Sequence, residues 1–185
     1  MRTFIAIDLS KPLKKSISLL CARLDNRDVH VRWVKLEGMH LTLKFLGEIS
    51  EEKRADVEEA MYATTMEINP FPLRLKGIGT FPPGQKPPRV LWVGVEENKI
   101  LKNLDSRLEE ELEKRGFSRE KRPFHPHLTL ARIKPGAHLG FTLEGLKKDR
   151  ESDFGEMEVD RIALFLSTLK STGAQYSVLS EFRLE

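Results

Sequence analysis

The tetrapeptide His-Leu-Thr-Leu occurs twice, at residues 40–43 and 127–130, and the two copies hold two of the chain's five histidines. Imidazole titrates near neutral pH, so a pair of histidines can divide the labour of proton transfer. The neutral partner takes a proton from an attacking hydroxyl or water, and the protonated partner gives one to a leaving oxygen. Each transfer is typically worth ~10²–10⁴ in rate, or about 3–5 kcal/mol of barrier. The threonine two residues after each histidine adds a hydroxyl donor for non-bridging oxygens. Two imidazoles and two hydroxyls around one centre suit a phosphodiester, whose in-line displacement needs attack and departure on opposite sides. On a strand, residues two apart share a face. His40 therefore stands with Thr42 and His127 with Thr129, while Leu41, Leu43, Leu128 and Leu130 turn to the core.

Neighbouring residues divide by the same alternation. Lys44, two past Thr42, is directed to the same face, where it either meets phosphate or snorkels at the rim. Phe45 falls in line with Leu41 and Leu43 and reads as core, and Trp92, within an apolar strand, also reads as packed. Phe81, in a loop rich in Pro and Gly, is the better candidate to stack on a base. The basic stretch KRGFSREKRPFH at 114–125 places Arg119, Lys121 and Arg122 where they either hold an RNA backbone or form a solvated loop. His30 and His138 read as surface or satisfied core residues. His125 has His127 nearby, but Pro126 and the absence of carboxylates at ligand spacing argue against zinc. No metal and no cofactor are expected.

The elements that must position these residues follow from periodicity and caps. Residues 2–8 alternate as a strand with Phe4, Ala6 and Asp8 on one face. Ser10 and Pro12 start a helix whose apolar stripe, Leu13, Ile17, Leu20 and Leu24, runs to about Asn26 and includes Cys21. Strands are expected at 29–34, 40–46, 71–79, 89–95 and 127–133. Ser50 opens a second helix to about Glu67, Asn98 caps a third ending near Gly116, and a short helix covers 141–149. Two long strands, 157–170 and 174–185, finish the chain around a turn at 171–173. The pattern is α+β with antiparallel pairing, arranged as two related α/β halves with one motif in each.

Paired His-x-Thr-x motifs separated by 87 residues (127 − 40) resemble the 2H phosphoesterase superfamily. The segments RTFIAIDL, WVKLEGMHLTLKFLGEI, GIGTFPPGQKPPRVLWVGV, FHPHLTLARI and LFLSTLKSTGAQYSVLSEF are similar to the RNA 2′,3′-cyclic phosphodiesterase family, also called 2′-5′ RNA ligase or LigT-like, across essentially the whole chain. The resemblance implies one domain, residues 1–185, of two pseudo-symmetric lobes, each with an antiparallel sheet and outer helices, and a groove between them carrying His40, Thr42, His127 and Thr129. It implies opening of an RNA terminal 2′,3′-cyclic phosphate to a 2′-phosphate, and an ATP-independent reaction that joins ends through a 2′-5′ bond. It also implies that His127 is the proton acceptor and His40 the proton donor, roles the nearly symmetric sequence leaves open by itself. Arg132 resembles a phosphate-binding arginine of the family. Strict alternation from His127 sets it on the opposite face, unless a bulge turns it back.

Composition bounds the setting. Hydrophobic residues are 39% and charged residues 32%, as in a soluble globular protein. No apolar run is long enough to cross a bilayer, and MRTFIAIDLS reads as a first strand rather than a signal peptide. The single cysteine excludes an internal disulfide and points to the cytoplasm. A net charge of +3 permits a polyanionic partner. Abundant Arg, Lys and Glu with two glutamines, Gln85 and Gln175, is a bias of heat-adapted proteins. The expected partner is an RNA with a cyclic phosphate end, such as a tRNA half, and the expected state is a monomer. A small cyclic nucleotide, an ADP-ribose cyclic phosphate, or non-catalytic RNA binding are the competing readings.

Overall fold

The computed structural model describes residues 1–83, 88–138, 146, 149–171 and 173–185. The chain opens with β1 (Arg2–Asp8) and turns at Ser10, whose hydroxyl accepts from the Leu13 amide, into α1 (Lys11–Leu24). A short strand, β2 (Val31–Trp33), and a 3₁₀ turn (Leu36–Gly38) lead to β3 (His40–Glu48). Ser50 caps α2 (Glu51–Thr65) by accepting from the Lys53 amide, and Glu51 and Glu52 sit at its positive end. The long strand β4 (Phe71–Phe81) and β5 (Val90–Val95) follow. Asn98 accepts from both Ile100 and Leu101 amides to start α3 (Lys99–Lys114), and Gly116, at φ +84°, ends it. The remaining strands are β6 (His127–Ile133), β7 (Asp153–Val159), β8 (Arg161–Lys170) and β9 (Gly173–Arg183). The helix expected over 141–149 falls largely outside the described residues.

These strands build two antiparallel sheets, ordered β3-β1-β8-β9 and β2-β6-β5-β4-β7. The fold is α+β, as expected, but the halves interleave. The first sheet takes two strands from each end of the chain, and β2 leaves the N-terminal segment to join β6. The continuous strand expected over 157–170 is two strands in two sheets. Asp160 makes the break: its carbonyl accepts from the Leu184 amide and its carboxylate holds Arg161 at 2.9 Å. Val159 and Ile162 stay buried on either side, three residues apart, so the strand period slips by one at the polar pair Asp160–Arg161.

One core unites the sheets and helices. Ile5, Ile7 and Leu41 of the first sheet pack with Leu91, Val93, Leu128 and Leu130 of the second and with the stripes Leu13–Ile17 of α1, Val57–Met61 of α2 and Leu101–Leu104–Leu108 of α3. Cys21 is buried in it, and burial pushes its thiol up to about 12, which makes it unreactive. A separate apolar cluster, Phe4, Ala6, Ala163 and Phe165 with Tyr176 against it, lies on the other face of the first sheet. No helix among the described residues is long and apolar enough to cross a membrane.

Candidate active site

β3 and β6 carry the two motifs. They belong to different sheets, yet they pass within 8 Å of one another, Cα to Cα. His40 begins β3 and faces Asp8 across the ladder. Its ring lies 4.6 Å from Phe4 and 5.7 Å from Phe165, centroid to centroid, with Tyr176 edge-on at 5.1 Å. Burial in this aromatic box pulls the imidazole down to about 4. Asp8 opposes that, while Lys14, ion-paired to Asp8 at 2.7 Å, adds to it.

His127 begins β6 opposite Gly94. Its Nδ1 lies 2.7 Å from the His125 carbonyl oxygen. A carbonyl can only accept, so Nδ1 carries the proton and Nε2 is the nitrogen left for chemistry. Phe81 stands edge-on to this ring at 5.3 Å and Trp92 at 6.4 Å, the two aromatics packing on each other at 5.2 Å. The indole lies over Gly79, where a β-carbon would occupy the same space. Phe81, the expected stacking residue of the loop, is thus the last residue of β4 and half-buried against His127 and Trp92. Trp92 is packed as expected, though on the histidine's face rather than in the core.

The last leucine of each motif is a β-bulge. Ile5 faces Lys44 and Ala6 faces Thr42, which leaves Leu43 without a partner; Leu91 faces Ala131 and Trp92 faces Thr129, which leaves Leu130 without one. The fourth residue after each histidine therefore turns inward and the fifth turns outward. Two expectations from strict alternation are corrected. Lys44 is 8% exposed and points away from the histidine, with Nζ 2.6 Å from Glu109 of α3 and 2.9 Å from the Ser118 carbonyl. Phe45 is 71% exposed and shares the face of His40, its ring 6.1 Å from Phe4. The same displacement brings Arg132 back to the face of His127 and Thr129, where it is exposed.

Arg119 is engaged by Glu113 at 2.8 Å, so it serves α3. Lys121 and Arg122 are exposed in the segment before β6. His30 and His138 are surface residues joined through Asp28, which accepts from the amides of both. Among the described residues, no group of three or more His, Cys, Asp or Glu side chains is spaced to hold a metal ion.

A family model, LigT like Phosphoesterase, matches residues 7–92 and again 93–176, one motif in each match. The chain belongs to this family. An RNA 2′,3′-cyclic phosphodiesterase of Thermotoga maritima is 39% identical over 185 residues, covering 100% of this chain and 96% of that protein. One of Archaeoglobus fulgidus is 37% identical over 183 residues, 98% and 99% of the two chains. Among solved structures, TT0787 of Thermus thermophilus superposes with a TM-score of 0.84 at 30% identity, covering 100% and 98%. E. coli LigT complexed with 3′-AMP gives 0.80 at 26% identity, covering 99% and 97%. The family's two-lobed arrangement of antiparallel sheets is the one described above.

Sequence reasoning missed the aromatic box. Phe165 and Tyr176 reach His40 from a hairpin far along the chain, and the relevant signal was the run Phe4, Ala6, Asp8, whose face needed an apolar covering. It also missed Arg32, which the ladder of β2 and β6 sets directly across from Arg132.

Proposed function

We propose that the chain hydrolyses the terminal 2′,3′-cyclic phosphate of RNA to a 2′-phosphate, with His127 and His40 as base and acid. The observation that carries this reading is the approach of β3 and β6, each opening on a histidine and a threonine of one duplicated motif. Membership of the family and the names of full-length relatives support the reaction.

His127 Nε2 takes a proton from the attacking water as its oxygen bonds to phosphorus. The bond from phosphorus to the 3′-oxygen breaks on the opposite side, and His40 gives that oxygen a proton. The carbonyl of His125 favours the base role for His127 by holding the proton on Nδ1. His40 is neutral in the free protein at neutral pH because it is buried. A phosphate anion beside it favours its charged form, so the acid is armed by the substrate. Thr42, Thr129 and Arg132 contact the non-bridging oxygens, and Lys121 and Arg122 add sequence-independent attraction for the chain. Phe81 serves by holding the His127 ring rather than by stacking. With a 5′-hydroxyl in place of water, the same steps form a 2′-5′ bond without ATP. The substrate class includes tRNA halves, the enzyme acts as a monomer in the cytoplasm, and no metal takes part.

The test is an RNA oligonucleotide with a cyclic phosphate end, incubated in EDTA, with the position of the product phosphate mapped. A 2′-phosphate is expected. His40→Ala and His127→Ala should each lose ~10²–10⁴ in kcat while retaining the wild-type circular dichroism. Full activity in either variant, or a 3′-phosphate product, rejects the assignment.

A further inference from the structure

Arg32 occupies the middle of β2, directly opposite Arg132 in the antiparallel ladder with β6. Directly opposed residues leave the same face, so both guanidinium groups project on the side of His127 and Thr129. Both are exposed. Like charges placed directly opposite destabilise a ladder, and this chain compensates such a pair elsewhere. Arg161 and Arg183 face each other across β8 and β9, and Asp160 and Glu181 lie 2.9 and 3.5 Å from Arg161. Arg74, on the β4 ladder, is held by Asp153 and Glu156 at 2.7 and 3.0 Å. Among the described residues, no carboxylate lies within 4 Å of Arg32 or Arg132. An arginine pair on the face of a phosphoryl site, with no carboxylate partner among the described residues, is arranged for an anion that arrives with the substrate.

The position of Arg32 says which anion. β2 is the outer strand of its sheet, about 5 Å beyond β6, on the side opposite the Trp92–Phe81 wall of β5 and β4. From Trp33 the chain runs through the 3₁₀ turn to His40, with Gly38 packed beneath Tyr176. Arg32 thus stands on the strand from which the chain crosses from one sheet to the other and reaches His40. Its planar guanidinium suits bidentate contact with phosphate.

We propose that Arg32, beside the Arg132 assigned above to the cyclic phosphate, binds the phosphodiester that joins the terminal nucleoside to the rest of an RNA chain, one step 5′ of the cyclic end. This rests on the function proposed above and narrows it: the subsite makes a polynucleotide end a better substrate than a nucleoside cyclic phosphate.

The test compares an RNA oligonucleotide ending in a cyclic phosphate with a nucleoside 2′,3′-cyclic phosphate lacking a 5′-phosphate. Arg32→Met should lower kcat/KM on the oligonucleotide ~10-fold, chiefly through KM, and at least about fivefold more than on the nucleoside. The slope of log kcat/KM against log salt should flatten by about 0.7–0.9. Arg32→Lys, which keeps the charge, should retain the slope. Equal losses on both substrates, or an unchanged slope in the Met variant, overturn the proposal. Fluorescence anisotropy with a labelled oligonucleotide ending in a 2′-phosphate reads the subsite independently of turnover. Weaker binding by Arg32→Met supports it, and equal binding rejects it. If the wild type turns over neither cyclic substrate, the hydrolase reading fails while this binding comparison still decides the role of Arg32.

Discussion

The ring of His40 lies 4.6 Å from that of Phe4, on the neighbouring strand, and this contact closes a box completed by Phe165 and Tyr176. The box keeps the imidazole neutral, with its pKa lowered from 6.5 to about 4. The unfolded chain binds a proton there that the native protein refuses, so stability falls as pH drops from about 6.5 towards 4, by at most about 3 kcal/mol. Thermal melts across this range should show the loss in the wild type and a smaller one in His40→Gln. The pH profiles should separate as well. kcat/KM reports the free enzyme and kcat the complex, and a bound phosphate anion raises the pKa of His40. The limb that His40 governs is therefore expected at higher pH in kcat than in kcat/KM.

Gly79 supports the other histidine. Its missing side chain is the floor on which Trp92 lies, and Trp92 and Phe81 flank His127. Gly79→Ala should cost about 1–3 kcal/mol by overpacking, shift the tryptophan emission, and depress kcat. A variant with unaltered emission and full activity would show that the indole does not hold the ring.

The ion pair behind β3 gives a stability test. Lys44 is 8% exposed and contacts both carboxylate oxygens of Glu109, at 2.6 and 2.8 Å. Removing one member strands the other, so Lys44→Met should destabilise by about 3–5 kcal/mol, and adding Glu109→Gln should recover part of that. Chemical denaturation of the two variants measures both effects. A side chain in open solvent would give far less.

Asp105 is the third member of that cluster. Burial chiefly, and then Glu109, raise its carboxyl to about 6 against the pull of Lys44. The native protein holds a proton that the unfolded chain gives up near pH 4, so this residue lowers stability as pH rises from about 4 to 6. Asp105→Asn removes the penalty. Its melting temperature should gain on the wild type through that interval and keep the gain above it.

The histidine and threonine pairs, the three helices and most strands were readable from local pattern, because caps and alternation act over a few residues. The bulges were not. HLTLKF alternates without a break, and nothing in it marks Leu43 as the unpaired residue, so alternation puts Lys44 and Phe45 on each other's faces. The second copy gave a clue, since the family position of Arg132 conflicted with alternation by one residue; a bulge at Leu130 resolves that conflict, and the repeat extends it to the first copy. The break at Asp160 was hidden for a similar reason. Only one slip shows there, from Val159 to Ile162 across the polar pair Asp160–Arg161, and inside a long apolar run a single slip reads as a bulge rather than as a change of sheet. The surroundings of His40 come from the hairpin of β8 and β9, and contacts so distant along the chain have no local signature.

That hairpin also sets an order of assembly. A ribosome delivers β1 and β3 long before β8 and β9, yet β1 is hydrogen-bonded between β3 and β8. Until the late hairpin docks, one edge of β1 lies open and His40 lacks two of the rings that cover it. A nascent chain can thus carry both histidines before it owns the environment that tunes them, and activity must appear late in synthesis, as a property of closure rather than of any segment.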